Sequence, residues 1–187
     1  PAAAGDPGHA SGADLPMSVA MIPIGHVRGG RAEAVDDAWD AVEAEIVLDP
    51  SQLGPDAALG LESFSHIVVV FVFDRLDPAK LERNARHPRG RTDWPRVGIL
   101  AQRGSPRPNR IGVTTCALLG TEGMVLRVRG LDATAGSPVL DVKPHMTGFD
   151  PRGVVREPAP RRAASRSAAR DLHAAASVRC ASGCAGG

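Results

Sequence analysis

The stretch His66-Ile67-Val68-Val69-Val70-Phe71-Val72-Phe73 is almost unbroken in apolar, β-branched and aromatic side chains, and it stops abruptly at Asp74-Arg75. A run of this length and composition predicts a strand buried on both faces. Upstream of it, Val42, Ala44, Ile46 and Leu48 alternate with Glu43, Glu45 and Val47, the period of two that marks a strand with one wet face; Asp49-Pro50 ends it. An apolar run over 19–27, interrupted by Pro23, predicts a first strand with the proline at an edge or bulge, and Gly29-Gly30 turns the chain after it. Further strands are predicted at 97–101, 111–119, 124–129 and 139–142. Residues 78–86, opened by Pro78 and carrying Leu81, predict a short helix that His87-Pro88-Arg89-Gly90 stops. About seven short strands, close-set turn signals and one short helix predict a mainly β protein, a closed or nearly closed β-barrel.

The chain has 187 residues, 43% of them hydrophobic, enough for one sizeable core. We expect one domain over 18–158. Residues 1–17, rich in Ala, Gly, Pro and Asp, and residues 159–187, rich in Ala, Arg and Ser, lack periodicity and are expected to be disordered. Cys180 and Cys184 lie in that tail and Cys116 stands alone in an apolar run, a pattern of neither a disulfide framework nor a zinc site. The longest apolar run is too short to span a bilayer, and the first residues have no secretory-signal pattern. A cytoplasmic protein with no membrane partner is the expectation.

The net charge of +1 hides a strong segregation. Residues 1–74 carry twelve acids against Arg28 and Arg31, whereas residues 75–110 carry ten basic side chains against Asp77, Glu82 and Asp93. Two readings fit the basic block: a surface for phosphate or carboxylate, or a solvated loop that neutralises the acidic first third.

Several chemistries leave no trace. There is no Gly-x-Gly-x-x-Gly after a strand, no Walker loop, no Gly-x-Ser-x-Gly elbow and no His-Glu-x-x-His, and no spacing of the six histidines predicts a metal cage. Two phrases do carry chemistry. In Arg103-Gly-Ser-Pro-Arg107-Pro108-Asn109-Arg110-Ile-Gly-Val113, proline holds Arg107 extended and two guanidiniums flank one loop, a pairing suited to a carboxylate or phosphate. In Gly130-Leu131-Asp132 and Pro138-Val139-Leu140-Asp141-Val142-Lys143-Pro144, Asp141 and Lys143 share a strand face; they either serve a ligand or pair to close a barrel end.

Phe64-Ser65-His66-Ile67, the apolar strand, Arg103 with Arg107-Pro108-Asn109 and Ile111-Gly112, then Gly130-Leu131-Asp132 and 138–144, occur in the order of the TrmO/YaeB family, also called the TsaA-like domain, and the chain resembles it from about residue 22 to 158. The resemblance implies a β-barrel that uses S-adenosylmethionine to methylate N6 of threonylcarbamoyladenosine beside the anticodon of tRNA, working as a homodimer. It implies cofactor contacts at Asp37, Ala38, Trp39, Asp74, Arg75, Arg103, Val113, Ala133, Thr134, Ala135 and Gly136. The basic block then reads as the tRNA-facing surface, with Arg89, Arg91, Arg96, Arg107, Asn109, Arg110 and, further on, Lys143 as RNA contacts. No dedicated base stands out: Asp132, Asp141 and the bound substrate itself are the candidate proton acceptors.

The chain departs from the family pattern at three places. Asp74 stands where a histidine is usual, Arg110 replaces the second proline of Arg-Pro-Asn-Pro, and Ala135 with Ser137 replace the Asp and Thr of an Asp-Gly-Thr-Pro loop. Two other functions fit the same residues: methylation of a small molecule or other acceptor, and non-catalytic binding of a nucleotide or RNA.

Overall fold

The computed structural model describes residues 18–34 and 37–158; both expected disordered ends lie outside the described residues. Eight strands follow one another: β1 (Gly25–Gly29), β2 (Glu43–Leu48), β3 (His66–Val72), β4 (Ala85–Arg86), β5 (Val97–Gly98), β6 (Ile111–Glu122), β7 (Val125–Arg129) and β8 (Pro138–Pro144). Six of them close an antiparallel barrel in the order β1-β2-β7-β6-β3-β8, and β4 and β5 form a separate two-stranded sheet. The barrel is therefore as expected, with six strands rather than seven. No helix among the described residues is long and apolar enough to cross a membrane.

The core is built by the alternation visible in the sequence. Ile46 and Leu48 from β2, Ile67, Val69 and Phe71 from β3, Leu126 and Val128 from β7, Val27 from β1 and Val139 from β8 fill the barrel. Each buried aliphatic or aromatic side chain of this kind contributes about 1.5–3 kcal/mol. β3 is not buried on both faces as expected: Val68, Val70 and Val72 are only half-buried, because a barrel strand packs one face on the core and turns the other outward. Gly112 faces Phe71 across the β3–β6 ladder, and a Cβ there would collide with the ring. Glycine is what lets that ring lie against the neighbouring strand.

β8 switches parity midway. Val70 pairs with Asp141 but Phe71 pairs with Val139, so Leu140 is an extra residue in the ladder. The bulge puts Val139 in the core while Asp141 and Lys143, which a regular strand would place on Val139's side, sit partly exposed and paired with each other.

Three local expectations are corrected. The chain over 19–24 precedes β1 instead of forming it, with Ile24 N–H already donating to Val139 O at 2.8 Å. Residues 78–86 make no α-helix: a single 3-10 turn (Pro78–Lys80), capped by Asp77 accepting from Ala79 N–H at 2.9 Å, is followed by an extended chain into β4. Residues 97–101 form the two-residue β5 and a 3-10 turn (Ile99–Ala101), outside the barrel. In 78–86 the apolar side chains are too few to sustain a helical face, and in 97–101 only Ile99 is buried while Leu100 points outward.

A candidate active site at the barrel end

β3 leaves the barrel at Phe73 and the chain returns at Ile111, pairing Val72 with Ile111. The whole basic block is thus the connection of one β-hairpin, folded back beside the barrel mouth with the β4–β5 sheet inside it. Between this excursion and the barrel lies a pocket of about 760 Å³, within the roughly 300–1,000 Å³ of ordinary small-molecule sites. Its barrel-side wall is Phe73, Asp74 and Arg75 from the end of β3, Asp132, Ala133, Thr134 and Ser137 from the loop before β8, and Ala34 and Trp39 from the strap after β1. The opposite wall comes from Leu76, Arg86, Pro88, Arg89, Trp94, Gln102, Arg103, Gly104 and Ser105, and Arg156, Glu157 and Pro158 complete it.

Arginines hold these segments in place. Arg75 donates from its two terminal nitrogens to the carbonyls of Ala32 and Ala135, tying the strap to the 132–137 loop. Arg31 donates to Asp37 O at 3.0 Å and Ala38 O at 2.7 Å and lies over the Trp39 ring at 5.2 Å. The loop itself is closed by Gly136 N–H to Val27 O at 2.8 Å and Ser137 N–H to Thr134 O at 3.0 Å, with Gly136 at φ +89°; that left-handed backbone suits glycine. Ser137 Oγ donates to Asp74 Oδ1 at 3.3 Å and lies 3.2 Å from Thr134 Oγ1, a polar chain across the barrel mouth.

The structure brings together Trp39, Asp74, Arg75, Arg103, Ala133 and Thr134 around the pocket. Ala135 and Gly136 belong to the same loop, behind its lining, and Asp37 and Ala38 to the strap. Val113 lies on β6, where its carbonyl accepts from Arg103 Nη2. Asp132 lines the pocket; Asp141 does not, and its ion pair with Lys143 is on the outer face of β8. Of the expected RNA contacts, Arg89 lines the pocket and forms a bidentate pair with Asp37; Arg91 pairs with Asp93 at 2.6 Å and stacks on Trp94 at 4.8 Å. Asp93 holds the Arg91 guanidinium further above its usual range, and is itself held below its usual range by that hydrogen bond. Arg96 donates to Ala85 O at 2.8 Å, and Arg107 turns inward to Gln102 O, so the two guanidiniums of Arg103 and Arg107 serve backbone carbonyls rather than one shared anion. Asn109 and Arg110 form the turn into β6, Arg110 at φ 54°. Among the described residues no group of His, Cys, Asp and Glu is arranged to hold a metal ion.

Sequence reasoning missed Arg86, Leu76, Gln102 and Ser105 in the wall. Arg86 lies on a two-residue strand and Leu76, Gln102 and Ser105 in turns and loops, none of which carries a periodic signal.

Fold and pocket define the class: a small antiparallel β-barrel with a ligand pocket of arginines and carboxylates at one end. The family model for the tRNA-methyltransferase O N-terminal domain matches residues 35–151. A probable S-adenosyl-L-methionine-binding protein of Methanothermobacter thermautotrophicus is 38% identical over 143 residues, covering 73% of this chain and 97% of that protein. One of Pyrococcus abyssi is 32% identical over 145 residues, 76% of each chain. The human tRNA (adenine(37)-N6)-methyltransferase is 35% identical over 100 residues, 54% of this chain and 22% of the human protein. A crystal structure of TrmO from Pseudomonas aeruginosa superposes with a TM-score of 0.63 at 26% identity, covering 79% of this chain and 63% of that one. The chain belongs to the TrmO family. It spans less than two thirds of the TrmO structure and about a fifth of the human enzyme.

Proposed function

We propose that the protein is a methyltransferase that moves the methyl group of S-adenosylmethionine to N6 of a tRNA adenosine beside the anticodon, the acceptor already carrying a threonylcarbamoyl group. The observation that carries this reading is the pocket at the barrel mouth of a TrmO-family chain, where Asp74 and Asp132 share a wall with Trp39, Phe73 and Arg75. These residues fit the cofactor: carboxylates suit a sulfonium, the aromatic and Ala133 surfaces suit an adenine, and the pocket is large enough to hold it. Within this reading the cofactor-contacting set is the strap 37–39, Asp74, Arg75, Arg103, Val113 and the loop 133–136.

When bound, the cofactor supplies an electrophilic methyl group. The chain supplies position: Arg75 and Arg31 fix the strap and loop, and alignment of donor with acceptor accounts for several kcal/mol of barrier in reactions of this type. The proton leaving N6 goes to Asp132, the one of the two candidate carboxylates that reaches the pocket. The remaining surface of the 75–110 excursion meets tRNA phosphates. The same reading has residues 18–158 as the working domain of a cytoplasmic homodimer; for the dimer alone, the exposed apolar side chains of Phe149 and Val154, 85% and 90% exposed, offer a contact.

Calorimetric titration with S-adenosylmethionine, followed by methyl incorporation into tRNA bearing threonylcarbamoyladenosine, tests the proposal. Binding and transfer are expected, and Arg103→Ala is expected to weaken cofactor affinity by about tenfold. Absence of cofactor binding overturns the enzyme reading; binding with transfer only to small acceptors overturns the tRNA assignment.

A further inference from the structure

The ten basic side chains of the 75–110 excursion are sorted by the fold into those that have an acceptor and those that do not. Arg75 reaches the carbonyls of Ala32 and Ala135, Arg89 the carboxylate of Asp37, Arg91 that of Asp93, Arg96 the carbonyl of Ala85, Arg103 that of Val113 and Arg107 that of Gln102. Arg86 Nε has no acceptor and is buried inside the pocket wall. Among the described residues, the side chains of Lys80, Arg83 and Arg110 have neither an acceptor nor a place in the pocket lining.

These three cations lie on two limbs that run side by side. Phe73 N–H donates to Arg110 O at 2.8 Å and Glu82 N–H to Pro106 O at 3.0 Å, so the limb 73–83 runs antiparallel to 106–110, outward from the barrel rim. Arg110 stands at the rim, Lys80 ends the 3-10 turn between the two bonds, and Arg83 follows the outer bond. The acids of this limb turn to the backbone instead of pairing with the cations: Asp77 accepts from Ala79 N–H at 2.9 Å, and Glu82 Oε1 from Arg83 N–H at 2.9 Å and Asn84 N–H at 2.7 Å. Arg110 is also held at φ 54°, a left-handed backbone that strains a non-glycine residue and that proteins retain chiefly where a function depends on it.

We propose that Lys80, Arg83 and Arg110 are the grip on the tRNA backbone, and that Arg91, Arg96 and Arg107 of the same basic block are structural. The inference rests on the proposed function and assigns its phosphate contacts, two of which, Lys80 and Arg83, are not among the RNA contacts expected from the sequence. A guanidinium already paired with a carboxylate brings no net charge to a phosphate, and one bonded to a carbonyl must break that bond first; an unpaired cation only releases its counterions. Three cations spread along two limbs suit a polyanionic strand better than a single phosphate group, which needs donors that converge. The limbs continue into the pocket wall through Asp74, Arg75 and Leu76 on one side and Arg103, Gly104 and Ser105 on the other. A strand held along the strip therefore stands beside the pocket mouth.

The test follows binding of the full chain to fluorescently labelled tRNA bearing threonylcarbamoyladenosine as salt is raised from about 50 to 200 mM. Lys80→Gln, Arg83→Gln and Arg110→Gln are each expected to weaken binding severalfold and to flatten the slope of log affinity against log salt by about 0.7–0.9, and the triple variant by about 2–3. Two controls are expected to keep the wild-type slope: the charge-neutral double variant Arg91→Gln, Asp93→Asn, and Arg127→Gln, whose unpaired guanidinium stands opposite Gly120 at the other end of β6 from Arg110. Thermal melts and an S-adenosylmethionine affinity within about twofold of wild type show that the variants keep fold and pocket. A triple variant with the wild-type slope overturns the inference, as does an equal flattening in either control, which would mean that cations count regardless of pairing or place. A wild type that binds S-adenosylmethionine but no tRNA overturns the tRNA reading itself, and the inference with it.

Discussion

Asp37 and Arg89 form a two-pronged ion pair, Oδ2 to Nη1 at 2.6 Å and Oδ1 to Nη2 at 2.7 Å, joining the strap after β1 to the turn Pro88–Gly90 on the far wall of the pocket. The side chains are 65% and 39% exposed, so the pair adds only about 0–1 kcal/mol to folding. Its effect is on the pocket, because it bridges two walls that no strand connects. Asp37→Ala and Arg89→Ala are each expected to change unfolding free energy in urea by less than about 1 kcal/mol, and to weaken S-adenosylmethionine binding severalfold. Wild-type affinity falls with added salt more steeply than that of either variant, since an exposed pair is screened; identical salt slopes would contradict a bridging role.

Arg75 reaches two carbonyls, those of Ala32 and Ala135, with one planar fork. Lysine keeps the charge but cannot span both acceptors in that geometry. For Arg75→Lys we expect cofactor affinity about tenfold lower in calorimetry, with faster amide hydrogen exchange at Ala135, Gly136 and Ser137. Unchanged exchange there would show that the loop's own backbone bonds suffice.

At Gly112 the backbone lies so close to Phe71 that an alanine Cβ would overlap the ring edge. Overpacking of this kind costs about 1–3 kcal/mol. Gly112→Ala is expected to lower the urea midpoint accordingly, and Phe71→Leu added to it to recover part of the loss, a non-additivity that a double-mutant cycle measures.

Burial pushes the Cys116 thiol up from 9.0 to about 12. The unfolded chain ionises this group from near pH 9 while the folded protein keeps it neutral, so its contribution to stability is complete below pH 9 and is lost as pH rises toward 12. The difference in unfolding free energy between wild type and Cys116→Ala should therefore shrink along the alkaline limb and stay constant from pH 6 to 8. Peptide mapping after iodoacetamide at pH 8 should find Cys116 unmodified in the native protein.

Elements with their own period are legible in the amino-acid order. The alternation in 43–48 and the apolar run at 66–72 correspond to β2 and β3, and the clustering of short strands points to the barrel class. Trp39, Asp74, Arg75, Arg103 and Asp132 stand out through the family motifs and meet at one pocket. Residues 78–86 and 97–101 mislead, because a few apolar side chains imitate a helix or strand over one turn and only tertiary packing selects between them.

What the amino-acid order dictates on its own is whatever depends on near neighbours: strand period, turn chemistry, and the charge segregation that makes 75–110 basic. What only the folded chain decides is partnership across distance. Parity in β8 depends on a bulge opposite Phe71, which takes Asp141 out of the core-facing row and pairs it with Lys143. Which arginine braces a loop, which pairs with Asp37 and which, at Arg86, keeps a buried donor without an acceptor depends on segments tens of residues apart meeting at the barrel mouth. Guanidiniums are chemically alike in the sequence; their roles differ because the fold hands each a different set of acceptors.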